Sequence, residues 1–352
     1  MEKAMLDAAT DNLKRTRSIT CLKPVVASIV NDELNEFLSP HLSGNSWPFR
    51  LEICESHRGS QEVIKEINRY ESEVLLTAWS TKPLPVDLLE QAPSLKYIAH
   101  VCGTVCGFIP REVIQKGLVV TNWGDSITRT VAEHCLLQIL ACLRRATKYQ
   151  IGMHCRKEWK PVKYEAFTLF DKKVGIHGFG ASARELVKLL KPFGCKISSY
   201  SPNVPDEYFK EYNIIRSKSL EDLFSKNTII VDLAALTPKT RAIVTGRLLR
   251  MIPAGGVFIN SGRGAVIDEA ALARIAHEGM IQIAIDVFDK EPLPADSPLR
   301  GCENVFLTPH IGGPTIDERK VCGLHALKNI EAYFKGEKQR SIIGLSEYDR
   351  MT

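Results

Sequence analysis

The sequence predicts an α/β fold built on parallel sheets. Three observations carry that prediction. Short apolar runs alternate with polar, helix-forming stretches from Pro24 to Val120 and again from Lys173 to Gly313. A glycine turn, Gly178-Phe-Gly180-Ala-Ser-Ala183, stands between a strand-like run and a helix-like one. Three further apolar runs, Val257-Phe-Ile, Ile281-Gln-Ile-Ala-Ile and Val305-Phe-Leu, are each followed closely by one reactive side chain, Arg263, Glu291 and His310 in turn. Such runs read as strands buried on both faces of a parallel sheet.

Bulk properties narrow the class. The chain has 352 residues, enough for two domains of ordinary size. With 44% hydrophobic and 25% charged residues it has the composition of a globular protein. The net charge of +5 is small and the basic residues are scattered, which argues against a nucleic-acid partner. No apolar run approaches a membrane span. Glu2, Asp7 and Asp11 argue against a transit peptide. Ten cysteines, several inside apolar stretches such as Cys135 and Cys142, fit free thiols in a reducing cytoplasm better than a disulfide framework. Cys102 and Cys106 have the spacing of half a metal site, but no second pair completes it, so no metal is expected.

Along the chain, residues 1–22 are polar and read as an extension. Strands are expected at Val25–Val30, Leu51–Ile53, Val74–Ala78, Tyr97–Val101 and Val119–Val120, with helices at 60–70, 86–92 and 110–116. Thr130-Val-Ala-Glu133 has the form of a capping box. The helix it would open carries Ala132, Cys135, Leu136, Ile139, Leu140 and Leu143 at helical spacing. Arg144 and Arg145 stand near its end, where the helix dipole prefers cations. Its wide apolar face suggests contact with a second subunit as well as its own domain. After the glycine turn a helix should run from Ala181 to Phe193 and close at Gly194. A last helix from Ile316 to Phe334 should return to the first half of the chain.

The glycine turn suits a dinucleotide. Gly178 and Gly180 allow a tight turn and close backbone approach, and the helix opening at Ala181-Ser182 offers amide donors to a pyrophosphate. The next strand, Lys196–Tyr200, should end in an acid that binds ribose hydroxyls, but Ser201 stands there. No arginine follows closely in sequence to welcome a 2′-phosphate, so NAD and NADP stay open. Asp206 substitutes for the missing acid only if its loop folds back.

Arg263 offers a planar fork that fits a carboxylate bidentately, and the flanking Gly262 and Gly264 let a ligand approach. The plainer alternative is a local pair with Asp268. His310 can exchange a proton near neutral pH, and Glu291 is its natural partner, fixing the tautomer of the ring. Asp286, at the end of its strand, is placed either to accept a hydrogen bond from a nicotinamide amide or to cap a turn.

Four blocks, Val174–Ala183, Ile259–Asp268, Ala284–Pro294 and Leu307–Gly313, closely resemble the D-isomer-specific 2-hydroxyacid dehydrogenases, within a likeness running from Leu95 to Phe334. The resemblance implies two Rossmann-like domains. A discontinuous substrate domain would comprise 1–125 and 314–352, with a dinucleotide-binding domain, 126–313, inserted in it. It also implies a homodimer and hydride transfer between NAD(P)H and a small 2-keto acid. By motif position Arg263 binds the substrate carboxylate, Glu291 orients the histidine and His310 is the general acid/base. Gly178, Gly180, Ala181, Ser182, Ser201, Ala235, Ser261, Gly262, Asp286, Gly312 and Gly313 fall at cofactor-contacting positions. Cys102, Gly103 and Thr104 fall in the substrate loop.

The chain departs from the family pattern in places. Val105 replaces a second loop glycine, and Gly107 replaces the following acid. Ala181 replaces a frequent arginine, and Ala235 a common proline. Loop 100–108 has no Lys or Arg, which weighs against a phosphorylated substrate, although Arg111 lies near. A glyoxylate- or hydroxypyruvate-type reductase is favoured. The rival from another class is a dinucleotide-sensing, corepressor-like binding protein with slow or vestigial turnover.

Overall fold

The computed structural model describes residues 22–43, 45–54, 59–349 and 351. The polar extension expected over residues 1–22 lies outside them except for Leu22. Two parallel sheets organise the chain. The first comprises β1 (Lys23–Ser28), β2 (Phe49–Cys54), β3 (Val74–Thr77), β4 (Tyr97–His100) and β5 (Val119–Thr121), in the order β2-β1-β3-β4-β5. The second comprises β6 (Lys173–His177), β7 (Lys196–Tyr200), β8 (Ile215–Arg216), β9 (Ile229–Asp232), β10 (Val257–Asn260), β11 (Gln282–Ile285) and β12 (Val305–Leu307). Its order is β12-β11-β10-β9-β6-β7-β8. Every strand pairing is parallel. The apolar runs are buried because helices cover both faces of each sheet.

In each sheet the order reverses once, between β1 and β3 in the first and between β6 and β9 in the second. Adjacent chain connections leave such a point to opposite faces, which opens a crevice beyond the carboxyl ends of the strands. The residues after β3, β6 and β9 are therefore placed to meet ligands.

Five helices of ten or more residues lie among the described residues: α1 (Ser60–Tyr70), α2 (Thr128–Leu143), α3 (Ala181–Leu190), α4 (Glu269–Glu278) and α5 (Arg319–Phe334). Ala132, Cys135, Ile139 and Cys142 of α2 share one core with Leu186, Val187 and Leu190 of α3 and Val174 and Ile176 of β6. Each such large apolar side chain contributes roughly 1.5–3 kcal/mol on burial. The returning α5 packs Cys322, Ala326, Leu327 and Ile330 onto Val25, Leu76, Tyr97 and Ala99 of the first sheet. Gly323 makes that contact close, since a Cβ there would lie 1.7 Å from the Phe37 carbonyl oxygen. No described helix is long and apolar enough to cross a membrane.

The start of α2 differs from the capping box read in the sequence. The chain is already helical in a 3₁₀ turn, Gly124–Ile127, so α2 begins at Thr128 with no side-chain cap. Thr130 then lies inside the first turn, and its hydroxyl donates to the Ile127 carbonyl at 2.8 Å instead of accepting an amide. The next helix follows the sequence reading. α3 runs into a 3₁₀ turn, Lys191–Phe193, and stops at Gly194 with φ of 66°.

One buried polar pair sits beneath the glycine turn. His177 and Asp232 are register partners on β6 and β9, and Nδ1 of His177 lies 3.0 Å from Oδ2 of Asp232. Burial pushes the imidazole pKa down, but the Asp232 charge and hydrogen bond outweigh it, and the net direction is up. The support this pair gives the fold is therefore full at acid pH and is lost as pH rises through the raised histidine value.

Candidate active site

A cleft of about 380 Å³ is lined from both halves of the molecule. The loops after β3, β4 and β5 contribute Trp79, Gly103, Thr104, Asn122 and Trp123. The loops after β10, β11 and β12 contribute Ser261, Arg263, Asp286, His310, Gly312 and Gly313. Ile127, Val131 and Met351 complete it.

Arg263 leaves β10 through a short loop pinned by Asn260. The Asn260 amide accepts from the Gly262 N–H at 3.0 Å and donates to the Arg263 carbonyl at 3.1 Å. Ser261 donates to Gln138 of α2 at 2.6 Å. Gly264 is obligatory, because a Cβ would stand 1.9 Å from the Phe288 carbonyl carbon. The Arg263 guanidinium donates to its neighbour's carbonyl, Gly262 O, at 2.8 Å. Asp268 instead caps α4 by accepting the Ala271 amide at 2.9 Å, so the local Arg263–Asp268 pair does not form. Burial lowers the guanidinium pKa and the nearby Glu291 charge opposes that shift, as for a cation held in a partly dry cleft.

His310 and Glu291 meet. Nδ1 of His310 lies 2.7 Å from Oε2 of Glu291, whose other oxygen accepts the Phe288 amide at 2.9 Å. The pair also borders an adjoining hollow of about 700 Å³. His310 has φ of +54°, a left-handed conformation unusual for a side-chain-bearing residue. Its amide is tied to the Asp286 carbonyl at 2.9 Å.

The Asp286 carboxylate fixes the rest of this loop. It accepts from Thr308 Oγ1 at 2.6 Å, the Ile311 amide at 3.0 Å and the Gly312 amide at 2.8 Å. His134 of α2 approaches at 3.3 Å. Burial raises the carboxyl pKa, but the hydrogen bonds from His134, Thr308 and Ile311 prevail and hold it at about 2. Of the two roles read in the sequence, turn-capping is the one the contacts display, although Asp286 still borders the cleft. Gly312 and Gly313 lie tight against this scaffold, since a Cβ would meet Asp286 Oδ2 at 2.8 Å and Thr130 Oγ1 at 2.7 Å respectively.

The crevice between β6 and β9 fits a dinucleotide. At Gly178, with φ of +85°, a Cβ would stand 2.8 Å from the Ala234 backbone, so the turn requires glycine. At Gly180 a Cβ would meet nothing within 4 Å, which leaves open space before α3. Ala181 and Ser182 form the first turn of α3, whose N-terminus has no side-chain cap and offers its amides outward. Ala235 is exposed, and its carbonyl accepts from Thr240 at 2.7 Å.

The ribose corner corrects one sequence reading. No arginine follows Ser201 closely in the chain, yet β7–β8 pairing brings Arg216 beside it. Arg216 donates to the carbonyls of Ser201, Pro202 and Val204 at 3.4, 3.0 and 2.9 Å and pairs with Asp206 at 2.5 Å. Arg216 thereby bridges Asp206 to the Ser201 carbonyl across the loop that follows β7.

The substrate loop corrects another. The Cys102 side chain is fully buried in the core of the first sheet, and its carbonyl accepts the Trp123 amide at 3.1 Å. Gly103 and Thr104 line the cleft without it. Val105 is buried, and Gly107 is exposed with φ of +88°. Cys106 turns away to donate to the Tyr348 carbonyl at 3.4 Å, so Cys102 and Cys106 do not converge.

Sequence reasoning missed Asn260, His134, Trp79 and Trp123. Asn260 carried a signal, an Asn-Ser-Gly turn closing a strand, whereas the other three reach the site only through tertiary packing. Replacing Asp286 with alanine is expected to cost on the order of 3 kcal/mol and to speed amide exchange across Thr308–Gly312. In the unaltered protein this support is fully present above the usual carboxylate value and is lost only as pH falls through about 2. Unchanged exchange in the variant would contradict the assignment.

A family model described as D-isomer specific 2-hydroxyacid dehydrogenase, NAD binding domain, matches residues 136–312. A D-3-phosphoglycerate dehydrogenase of Methanocaldococcus jannaschii is 29% identical over 286 residues, 81% of this chain, which spans only 54% of that relative's length. Glyoxylate/hydroxypyruvate reductase A of Arabidopsis thaliana is 36% identical over 226 residues, covering 63% of this chain and 70% of the relative. The fold is shared with the NAD-complexed D-isomer specific 2-hydroxyacid dehydrogenase of Lactobacillus delbrueckii ssp. bulgaricus, with a TM-score of 0.77 at 17% identity over 92% of this chain and all of the other. The chain belongs to the D-isomer-specific 2-hydroxyacid dehydrogenases, and its residues 136–312 are the NAD-binding domain of that family.

Proposed function

We propose that this chain reversibly reduces a 2-keto acid to the D-2-hydroxy acid. The observation that carries the reading is the His310–Glu291 contact of 2.7 Å, with His310 lining the same cleft as Arg263. Residues 1–125 and 314–352 act as the substrate-binding half, and 126–313 as the dinucleotide half.

Arg263 and the backbone of Gly103-Thr104 hold the substrate carboxylate, and the guanidinium also polarises the ketone. Glu291 takes Nδ1 of His310, which leaves Nε2 to exchange a proton with the substrate oxygen. Gly178, Gly180, Ala181 and Ser182 hold the pyrophosphate, and Asp286, Ser261, Gly262, Gly312 and Gly313 frame the nicotinamide end. When bound, the cofactor supplies the hydride that reaches the carbonyl carbon. His310 supplies the proton to the oxygen, so the carbonyl gains one hydrogen at carbon and one at oxygen and becomes the alcohol. Closing the cleft excludes water from this exchange.

His310→Ala is expected to lower kcat by about 10²–10⁴-fold. NADH titrated by fluorescence should still bind the variant, and undiminished turnover would refute the role. At the ribose corner Ser201 brings no charge and Arg216 is neutralised by Asp206, so we infer binding of both NADH and NADPH with little preference. Parallel fluorescence titrations test this, and a hundredfold difference would contradict it.

Met153, Trp159, Val162, Tyr164, Phe167 and Phe170 are all exposed on the segment linking α2 to β6. Apolar exposure on this scale favours a second copy of the chain as its cover, giving a homodimer joined through the dinucleotide halves. Light scattering at micromolar concentration should give twice the chain mass, and a single-chain mass would overturn the assignment.

A further inference from the structure

The cleft has two unlike walls. Arg263, Asp286 and His310 stand on one side. The opposite wall carries the large apolar side chains of Trp79, Trp123 and Met351 beside Gly103, Thr104 and Asn122, while Ile127 and Val131 adjoin Gly313 between the two walls. We infer that the substrate carries a bulky apolar side chain, aromatic by preference, and that Trp79, Trp123 and Met351 select it. This inference rests on reading the site as a 2-keto acid reductase.

The indoles are held in place. Trp123 is wedged over Gly103, where a Cβ would lie 2.5 Å from its ring. Its amide is bonded to Cys102 O. Trp79 stands edge-on to Trp123 with ring centroids 6.0 Å apart, and edge-on to Phe37 at 5.4 Å. Even so, Trp79 is 45% exposed. A rigid, half-exposed indole facing a second indole is a surface that a planar apolar group covers well. Met351 adds a polarisable, adaptable thioether.

Two arginines near this wall, Arg111 and Arg319, are already engaged, which counts against a phosphate or a second carboxylate on the substrate. Arg111 pairs bidentately with Asp349 at 2.7 and 3.0 Å. Arg319 pairs with Glu36 and lies behind Trp79, its guanidinium 5.1 Å from the ring. The Arg111–Asp349 pair has a second effect. Together with the Tyr348 hydroxyl bonded to Ile109 O at 2.7 Å, it holds residues 345–349 against residues 109–111 just after the substrate loop, and the Met351 amide bonds to Tyr348 O at 3.0 Å where Met351 lines the cleft.

The test compares kcat/KM for phenylpyruvate, 4-methyl-2-oxopentanoate, hydroxypyruvate and glyoxylate on the intact chain with NADH and with NADPH. One methylene in an apolar pocket is worth about 10–200-fold, so phenylpyruvate should exceed glyoxylate by at least about a hundredfold. Trp79→Ala should reduce that ratio by roughly ten- to a hundredfold, chiefly through KM. Trp79→Phe should restore most of it, and Met351→Ala should lower it less. A preference for glyoxylate or hydroxypyruvate would overturn the inference and leave the reductase reading intact. If no keto acid turns over, the reductase reading fails. Calorimetric binding of phenylpyruvate to the cofactor-loaded protein then decides the pocket assignment. Binding weakened in Trp79→Ala supports it, and binding no tighter than that of glyoxylate refutes it.

Discussion

The carboxylate of Asp286 accepts from a threonine hydroxyl and two successive backbone amides, and its own carbonyl accepts the amide of His310. The rest of the site hangs on this knot. It anchors the Thr308–Gly312 loop to the end of β11, and through His134 it anchors that loop to α2. Because it is buried and stays charged far into the acid range, it works as a fixed electrostatic post beside the His310 loop. Glu291 has only to orient a ring whose backbone is already placed.

The other functional side chains are held the same way, by short loops at strand ends with one polar residue bonding back to the backbone. Asn260 does so for Arg263, and Asn122 for the opposite wall, donating to Gly103 O at 2.8 Å and accepting the Gly124 amide at 3.0 Å. A parallel sheet delivers strand ends in register. Small polar residues there convert that register into side-chain positions.

Much of this was legible in the sequence because it depends on local chemistry. Apolar runs gave the strands, and the glycine turn gave the start of α3. The three strand ends gave Arg263, Glu291 and His310, which the fold gathers around one cleft and its flank. What was not legible depends on distant pairing. Arg216 reaches Ser201 only because β8 lies beside β7, and a separation of 15 residues hides that from any spacing rule. Cys102 looked like a loop residue, but β4 ends in the core and its side chain points inward. Thr130 had the form of a cap, but the preceding 3₁₀ turn had already started the helix. Trp79 and Trp123 belong to different strand ends and become neighbours only when the first sheet assembles.

The left-handed backbone of His310 has a consequence for how the protein balances durability against chemistry. A residue with a Cβ is less stable in that conformation than glycine by about 1–2 kcal/mol. Glycine at this position would relieve that backbone cost but would also remove the imidazole and its 2.7 Å contact with Glu291. The protein thus accepts a backbone cost at the residue proposed to exchange a proton. A backbone cost of this kind, set beside the Glu291 contact, is what the proposed proton exchange at His310 would account for.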